Sequence, residues 1–229
     1  MSTALIIGGG RGIGAATALE LGSRGYDVVV VARSLDQSAA VVEKVKAHGV
    51  KSVALRADIR SEDEVRRLVD EVRGFSDGVA VLVNSAGEAV LGDLASTTPA
   101  VFDAMIQANL VGAYRVIYHA QSLLRPARGQ VINVISRAGR SPYGNALAYG
   151  SAKAALVYLT RALAAEMAAS GMRINGVSPG AVATEMRRQV FPDEDQGRLM
   201  EPESVAALIG MLMEDAFSHL NGAVIDFPW

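Results

Sequence analysis

The chain has 229 residues, half of them hydrophobic and a fifth charged, with a formal net charge of -2. That balance suits an ordinary globular chain and excludes disordered and fibrous classes. Near-neutral charge without a basic run removes the electrostatic footprint of a nucleic-acid or membrane-surface binder, and the absence of cysteine excludes disulfides, thiolate catalysis and cysteine-ligated zinc.

His48, His119 and His219 lie too far apart for metal-ligand spacing, so no metal is expected. The opening "MSTALIIGGG" has no basic n-region, and no apolar run reaches the ~18 residues of a membrane span. The expectation is a cytoplasmic protein that meets a small molecule, with neither nucleic acid nor membrane as a partner.

Taken in chain order, short apolar runs at 4–7, 27–32, 52–57, 79–83, 130–135, 173–178 and 223–227 predict seven strands. Near-continuous hydrophobicity marks strands buried on both faces. Between them, helical patterns run over 12–24, 37–47, 62–73, 99–124, 149–169 and 202–214. Alternation at this spacing calls for right-handed crossovers and an α/β fold: a Rossmann-like, doubly wound, seven-stranded parallel sheet with helices on both faces. No linker or repeat divides the chain, so 1–229 is expected to be a single domain. The stretch 184–201 carries charges, a Pro and a Gly, and reads either as a lid or as a surface loop.

The first strand runs into "IIGGGRGIGAAT", where Gly8, Gly12 and Gly14 give G-x-x-x-G-x-G. Glycines permit positive φ and close backbone approach, and a helix N-terminus offers free N–H groups to a diphosphate. A ribose-binding carboxylate about 20 residues beyond the glycines would point to NAD. Here the second strand ends in Ala32 and Arg33, which favours a 2'-phosphate, with Arg11 as a second positive contact. "NSAG", Asn84 to Gly87, follows the fourth strand; Asn109 lies inside an apolar helical stretch; Ser136 ends the fifth strand. In "AYGSAKAAL", Tyr149 and Lys153 share one helix face at i and i+4.

In this order and spacing the residues resemble the short-chain dehydrogenase/reductase family over nearly the whole chain. The resemblance rests on the glycine motif, on N-x-A-G at Asn84, Ala86 and Gly87, and on Asn109. It rests further on Ser136 thirteen residues before Y-x-x-x-K, and on "RINGVSPGAVAT" with Asn175, Pro179, Gly180 and Thr184. It implies that Gly8, Gly12 and Gly14 receive a diphosphate, with Arg11 and Ile13 among the cofactor-binding residues. Asp58 and Ile59 would flank the adenine, and Asn84, Ala86 and Gly87 would line the cofactor. Pro179, Gly180 and Thr184 would lie at the nicotinamide, and Lys153 would bond its ribose beside Tyr149.

The implied catalytic tetrad is Asn109, Ser136, Tyr149 and Lys153, with Tyr149 exchanging a proton while Lys153 lowers its pKa and Asn109 holds a water. The expected activity is NADP(H)-dependent interconversion of a carbonyl compound and an alcohol, NADPH being preferred over NADH. The family further implies a homodimer or homotetramer, and small residues on the Tyr149 helix require a close neighbour, either within the chain or in another subunit. A non-catalytic nicotinamide-binding or sensing protein is the alternative; Ser136 and Tyr149 in register argue against it, and a lyase or epimerase on the same scaffold ranks lower.

Three departures stand out: Ile7 in place of a Thr, Ser85 in place of a second Asn, and Phe227-Pro228 where many members have Gly-Gly. The substrate pocket is expected between 88–95, 137–147 and 184–200, with Arg137, Arg140, Tyr143, Met186, Arg187 and Phe191 as candidates.

Overall fold

A computed structural model of the chain describes residues 2–227. The Pro228 departure and the role of Trp229 lie outside the described residues. Seven strands form one sheet: β1 (Thr3–Ile7), β2 (Asp27–Ala32), β3 (Ser52–Arg56), β4 (Val81–Asn84), β5 (Gln130–Val134), β6 (Arg173–Pro179) and β7 (Val224–Phe227). Their order is β3-β2-β1-β4-β5-β6-β7, and every pairing is parallel. This is the doubly wound arrangement expected from the alternation of apolar runs and amphipathic segments.

The period-2 alternation of the strands divides the core in two. Leu5 and Ile7 face one layer with Val29, Val31 and Leu82, against helices α3 (Glu62–Phe75), α5 (Gly112–Leu124) and α6 (Leu147–Met167). Ala4 and Ile6 face the other with Val28, Val30 and Val83, against α1 (Gly12–Ser23), α2 (Leu35–Lys46) and α8 (Pro202–Met211). Burial of these branched side chains at roughly 25 cal/mol per Å² is the main stabilising term and fixes the sheet's orientation.

Two segments differ from the expected pattern. The helix expected over 99–124 is α4 (Pro99–Ile106), then a π-helical turn at Gln107–Val111, then α5. Its start is set by Thr98, whose hydroxyl accepts the Val101 N–H, and by Pro99 in the first turn. The wider π turn inserts an extra residue into the helix, a departure that hydrophobic periodicity does not register. The stretch 184–201 contains a short helix, α7 (Glu185–Val190), and a 3₁₀ turn, Gln196–Arg198. Thr184 starts α7 by accepting the Arg187 N–H at 3.2 Å.

In this sheet β1 leads to β2 on one side, while the next strand on the other side is β4. The crossovers therefore part above the carboxyl end of β1, and a crevice opens there. Among the described residues no helix is long and apolar enough to cross a membrane.

Candidate active site

The crevice is a cleft of about 460 Å³, within the usual range for small-molecule sites. At one end the glycine turn leaves β1, tied to β2 by Gly8 and Gly9 N–H groups donating to the Val31 carbonyl at 2.8 and 2.9 Å. Gly8 has φ +79°, and a Cβ there would meet the Ala86 nitrogen at 2.5 Å; Gly12 has φ +54°, with the Thr184 side chain 3.2 Å from such a Cβ. Only glycine combines that backbone with that proximity. Arg11 precedes α1 in an extended conformation, and no side chain caps the helix. The first N–H groups of α1 are thus left for a ligand, and with the glycine cradle they fit a dinucleotide diphosphate.

Of the expected site residues, Gly8, Arg11, Gly12, Ile13, Arg33, Asp58, Ile59, Ala86, Gly87, Asn109, Ser136, Tyr149, Lys153, Pro179, Gly180 and Thr184 all line this cleft. Two do not. Gly14 packs inside the first turn of α1 against the Gly8 carbonyl. Asn84 is buried beneath the wall, and its side-chain N–H donates to Asn133 Oδ1 at 2.9 Å. Asn133 donates in turn to Thr160 Oγ1 at 2.9 Å, and that hydroxyl donates to the Leu156 carbonyl at 2.7 Å. Asn84 is therefore the first member of a buried polar chain joining β4 and β5 to α6, the helix that carries Tyr149 and Lys153.

Lys153 is buried, and its ammonium donates to the Val134 carbonyl at 2.9 Å. It stands 5.9 Å from the centre of the Tyr149 ring. Burial lowers its pKa to about 8, because removing water disfavours the charged form. The same cause pushes the Tyr149 hydroxyl up to about 12, opposed by the neighbouring Ser136 hydroxyl. Burial is the largest cause for both groups, so the tyrosine stands above its ordinary value rather than below it. Tyr149 therefore keeps its proton at neutral pH.

Asn109 sits in the π turn. Its amide donates to the Glu88 carbonyl at 2.9 Å and the Met105 carbonyl at 3.0 Å, and its Oδ1 accepts the Glu88 N–H at 3.3 Å. Both amide hydrogens are thus engaged by backbone, and the side chain braces the turn after Gly87. The small residues of α6 have a partner within the chain. A Cβ on Gly139 would lie 2.6 Å from the Lys153 backbone, and one on Gly150 would lie 3.1 Å from the Ala138 carbonyl oxygen.

Of the candidate pocket residues, Tyr143, Met186, Arg187 and Phe191 reach the cleft, whereas Arg137 and Arg140 do not. Arg140 instead forms a two-point ion pair with Asp226 at 3.1 and 3.0 Å, anchoring the 137–139 turn to β7. Arg187 stacks 3.8 Å from the Phe191 ring centre and pairs with Glu194 at 2.6 and 2.7 Å. The segment is thereby braced along the wall of the cleft. Asp58 is held by Arg60, whose guanidinium bonds keep the carboxyl below its ordinary range. Arg60 and Glu88 also line the cleft; nothing in the local sequence singles out Glu88, because its partner Arg33 lies 55 positions away.

A doubly wound sheet with a glycine cradle and a Ser-Tyr-Lys group sharing one crevice defines a nucleotide-dependent class of α/β protein. A family model described as short chain dehydrogenase matches residues 2–195, and the chain belongs to this short-chain dehydrogenase/reductase family of oxidoreductases. Among its relatives, the 3-oxoacyl-(acyl-carrier-protein) reductase FabG of Staphylococcus epidermidis is 34% identical, over 97% of this chain and 96% of the relative. The Pseudomonas aeruginosa protein of the same name is 31% identical, over 97% and 94%. Among solved structures, the Pseudomonas aeruginosa RhlG/NADP active-site complex superposes with TM-score 0.93 at 32% identity, covering 99% of this chain and 94% of that one. Levodione reductase superposes with TM-score 0.92 at 28% identity, covering 98% and 95%.

Proposed function

We propose that the protein is an NADPH-dependent reductase of a ketone or aldehyde, also able to run the reverse alcohol oxidation, in one domain spanning the chain. The observation that carries this reading is that Ser136, Tyr149 and Lys153 share a single cleft with the glycine cradle and Arg33. The names of the relatives, reductases of 3-oxoacyl groups, and the NADP complex of a structural neighbour favour the same chemistry.

NADPH, when bound, supplies the hydride. The chain's own residues supply the rest. Ser136 Oγ–H donates to the carbonyl oxygen and fixes its position, stabilising negative charge as it develops. Tyr149, protonated at neutral pH, gives its proton to that oxygen. The Lys153 ammonium, still largely charged below its pKa of about 8, stabilises the phenolate left behind. The Thr184–Phe191 segment walls one side of the site, with Arg187 lining the cleft. Exposed tyrosines on α5 (Tyr114, Tyr118) and α6 (Tyr158) favour a homodimer or homotetramer.

A panel of ketones and aldehydes, followed by loss of NADPH absorbance, tests the reading. Substrate-dependent oxidation of NADPH is expected, and Ser136→Ala should slow it by about a hundredfold. Tight NADPH binding with no oxidation across the panel would support the non-catalytic binder instead.

A further inference from the structure

An ion pair lining the cleft joins residues 55 positions apart: Arg33 Nη1 donates to Glu88 Oε1 at 2.6 Å. Arg33 follows β2 and Glu88 follows β4. Since β1 lies between those strands, the pair spans about 10 Å of sheet edge, across the mouth of the crevice. The same carboxylate oxygen lies 3.5 Å from Arg60 Nη1. Glu88 is not a loosely placed surface acid, because its main chain is gripped on both sides by Asn109. Asp58 already holds Arg60 in two-point contact, so Glu88 is the carboxylate that occupies Arg33.

From this geometry we infer that Glu88 is a specificity-determining residue, competing with the 2'-phosphate of NADP(H) for the Arg33 guanidinium. The inference rests on the assignment of Arg33 to that phosphate. A 2'-phosphate carries close to two negative charges at neutral pH and can replace one carboxylate on an arginine. A bare ribose hydroxyl cannot, so with NAD(H) the Arg33–Glu88 pair persists. Glu88 therefore opposes the phosphorylated cofactor by holding its arginine beforehand. The chain's preference for NADPH is smaller than Arg33 alone would produce.

The test is calorimetric titration of NADP+ and NAD+ into wild type, Glu88→Gln, Arg33→Ala and the double variant at low ionic strength. The pair is partly exposed, so its removal is worth a factor of about three to five. Glu88→Gln should lower the Kd for NADP+ by that factor and leave the Kd for NAD+ within twofold. In the Arg33→Ala background the selective effect should fall below twofold. Equal tightening of both nucleotides, no change for NADP+, or an undiminished effect without Arg33 would each overturn the competition. Failure of the underlying assignment shows separately: Arg33→Ala would leave the wild-type preference between NADP+ and NAD+ unchanged.

Discussion

Tyr149 and Lys153 share a helix face, as their spacing requires, and burial sets the direction in which each is shifted. Lys153 is buried with a backbone carbonyl as its recorded partner, a surrounding that the run of small residues around it does not disclose. The depressed lysine pKa has a consequence for stability. The unfolded chain binds the proton up to about pH 10.5 and the folded chain up to about pH 8. Between these values the unfolded state holds more protons, so stability rises with pH and is lost again as pH falls through about 8. Over the full window the gain is on the order of 3 kcal/mol. Denaturant unfolding at pH 7.5 and 9.5 should show wild type gaining stability relative to Lys153→Met as pH rises. Parallel behaviour of the two proteins would show that the lysine is not desolvated.

At the scale of elements, the glycine turn and the Y-x-x-x-K helix were legible because their chemistry is local. The π turn was not, because its cause is tertiary: Asn109 is held against the Glu88 backbone from another loop, and helical periodicity is blind to one inserted residue. The six-residue helix α7 was hidden for the opposite reason, being too short to show a period. Asn84 was placed on the cofactor wall through its family motif, whereas it tethers β4 to β5. The tether makes Asn133 its central member. Asn133→Leu should orphan the Asn84 amide and remove the N–H that the Thr160 hydroxyl accepts, costing about 1 to 3 kcal/mol in chemical denaturation. It should lower turnover as well, since α6 loses its registration to the sheet. An unchanged midpoint would show that the chain of hydrogen bonds carries no weight.

At the scale of the whole molecule, the parallel sheet and its two helical layers followed from alternation and crossover handedness. The cleft lies at the carboxyl end of β1, beside the glycine turn. What stayed hidden were the ion pairs joining distant segments, Arg33–Glu88 and Arg140–Asp226, because sequence separation says nothing about which charges meet. Assembly belongs to this scale too. Tyr158 is 77% exposed and Tyr118 53% exposed, an arrangement suited to burial between copies. Light scattering after size exclusion should therefore give two or four times the 24.0 kDa chain mass, with Tyr158→Glu shifting the protein towards the monomer. A monomer at all concentrations would refute the assembly.

Tyr149 is proposed as the proton donor in a nucleotide-linked reduction, and Tyr149→Phe is the decisive variant. The substitution removes one oxygen and leaves the ring packing intact. Steady-state turnover should fall by about 10² to 10⁴, while the Kd for NADPH measured on the same protein stays within twofold of wild type. Turnover within a few-fold of wild type would contradict the claim.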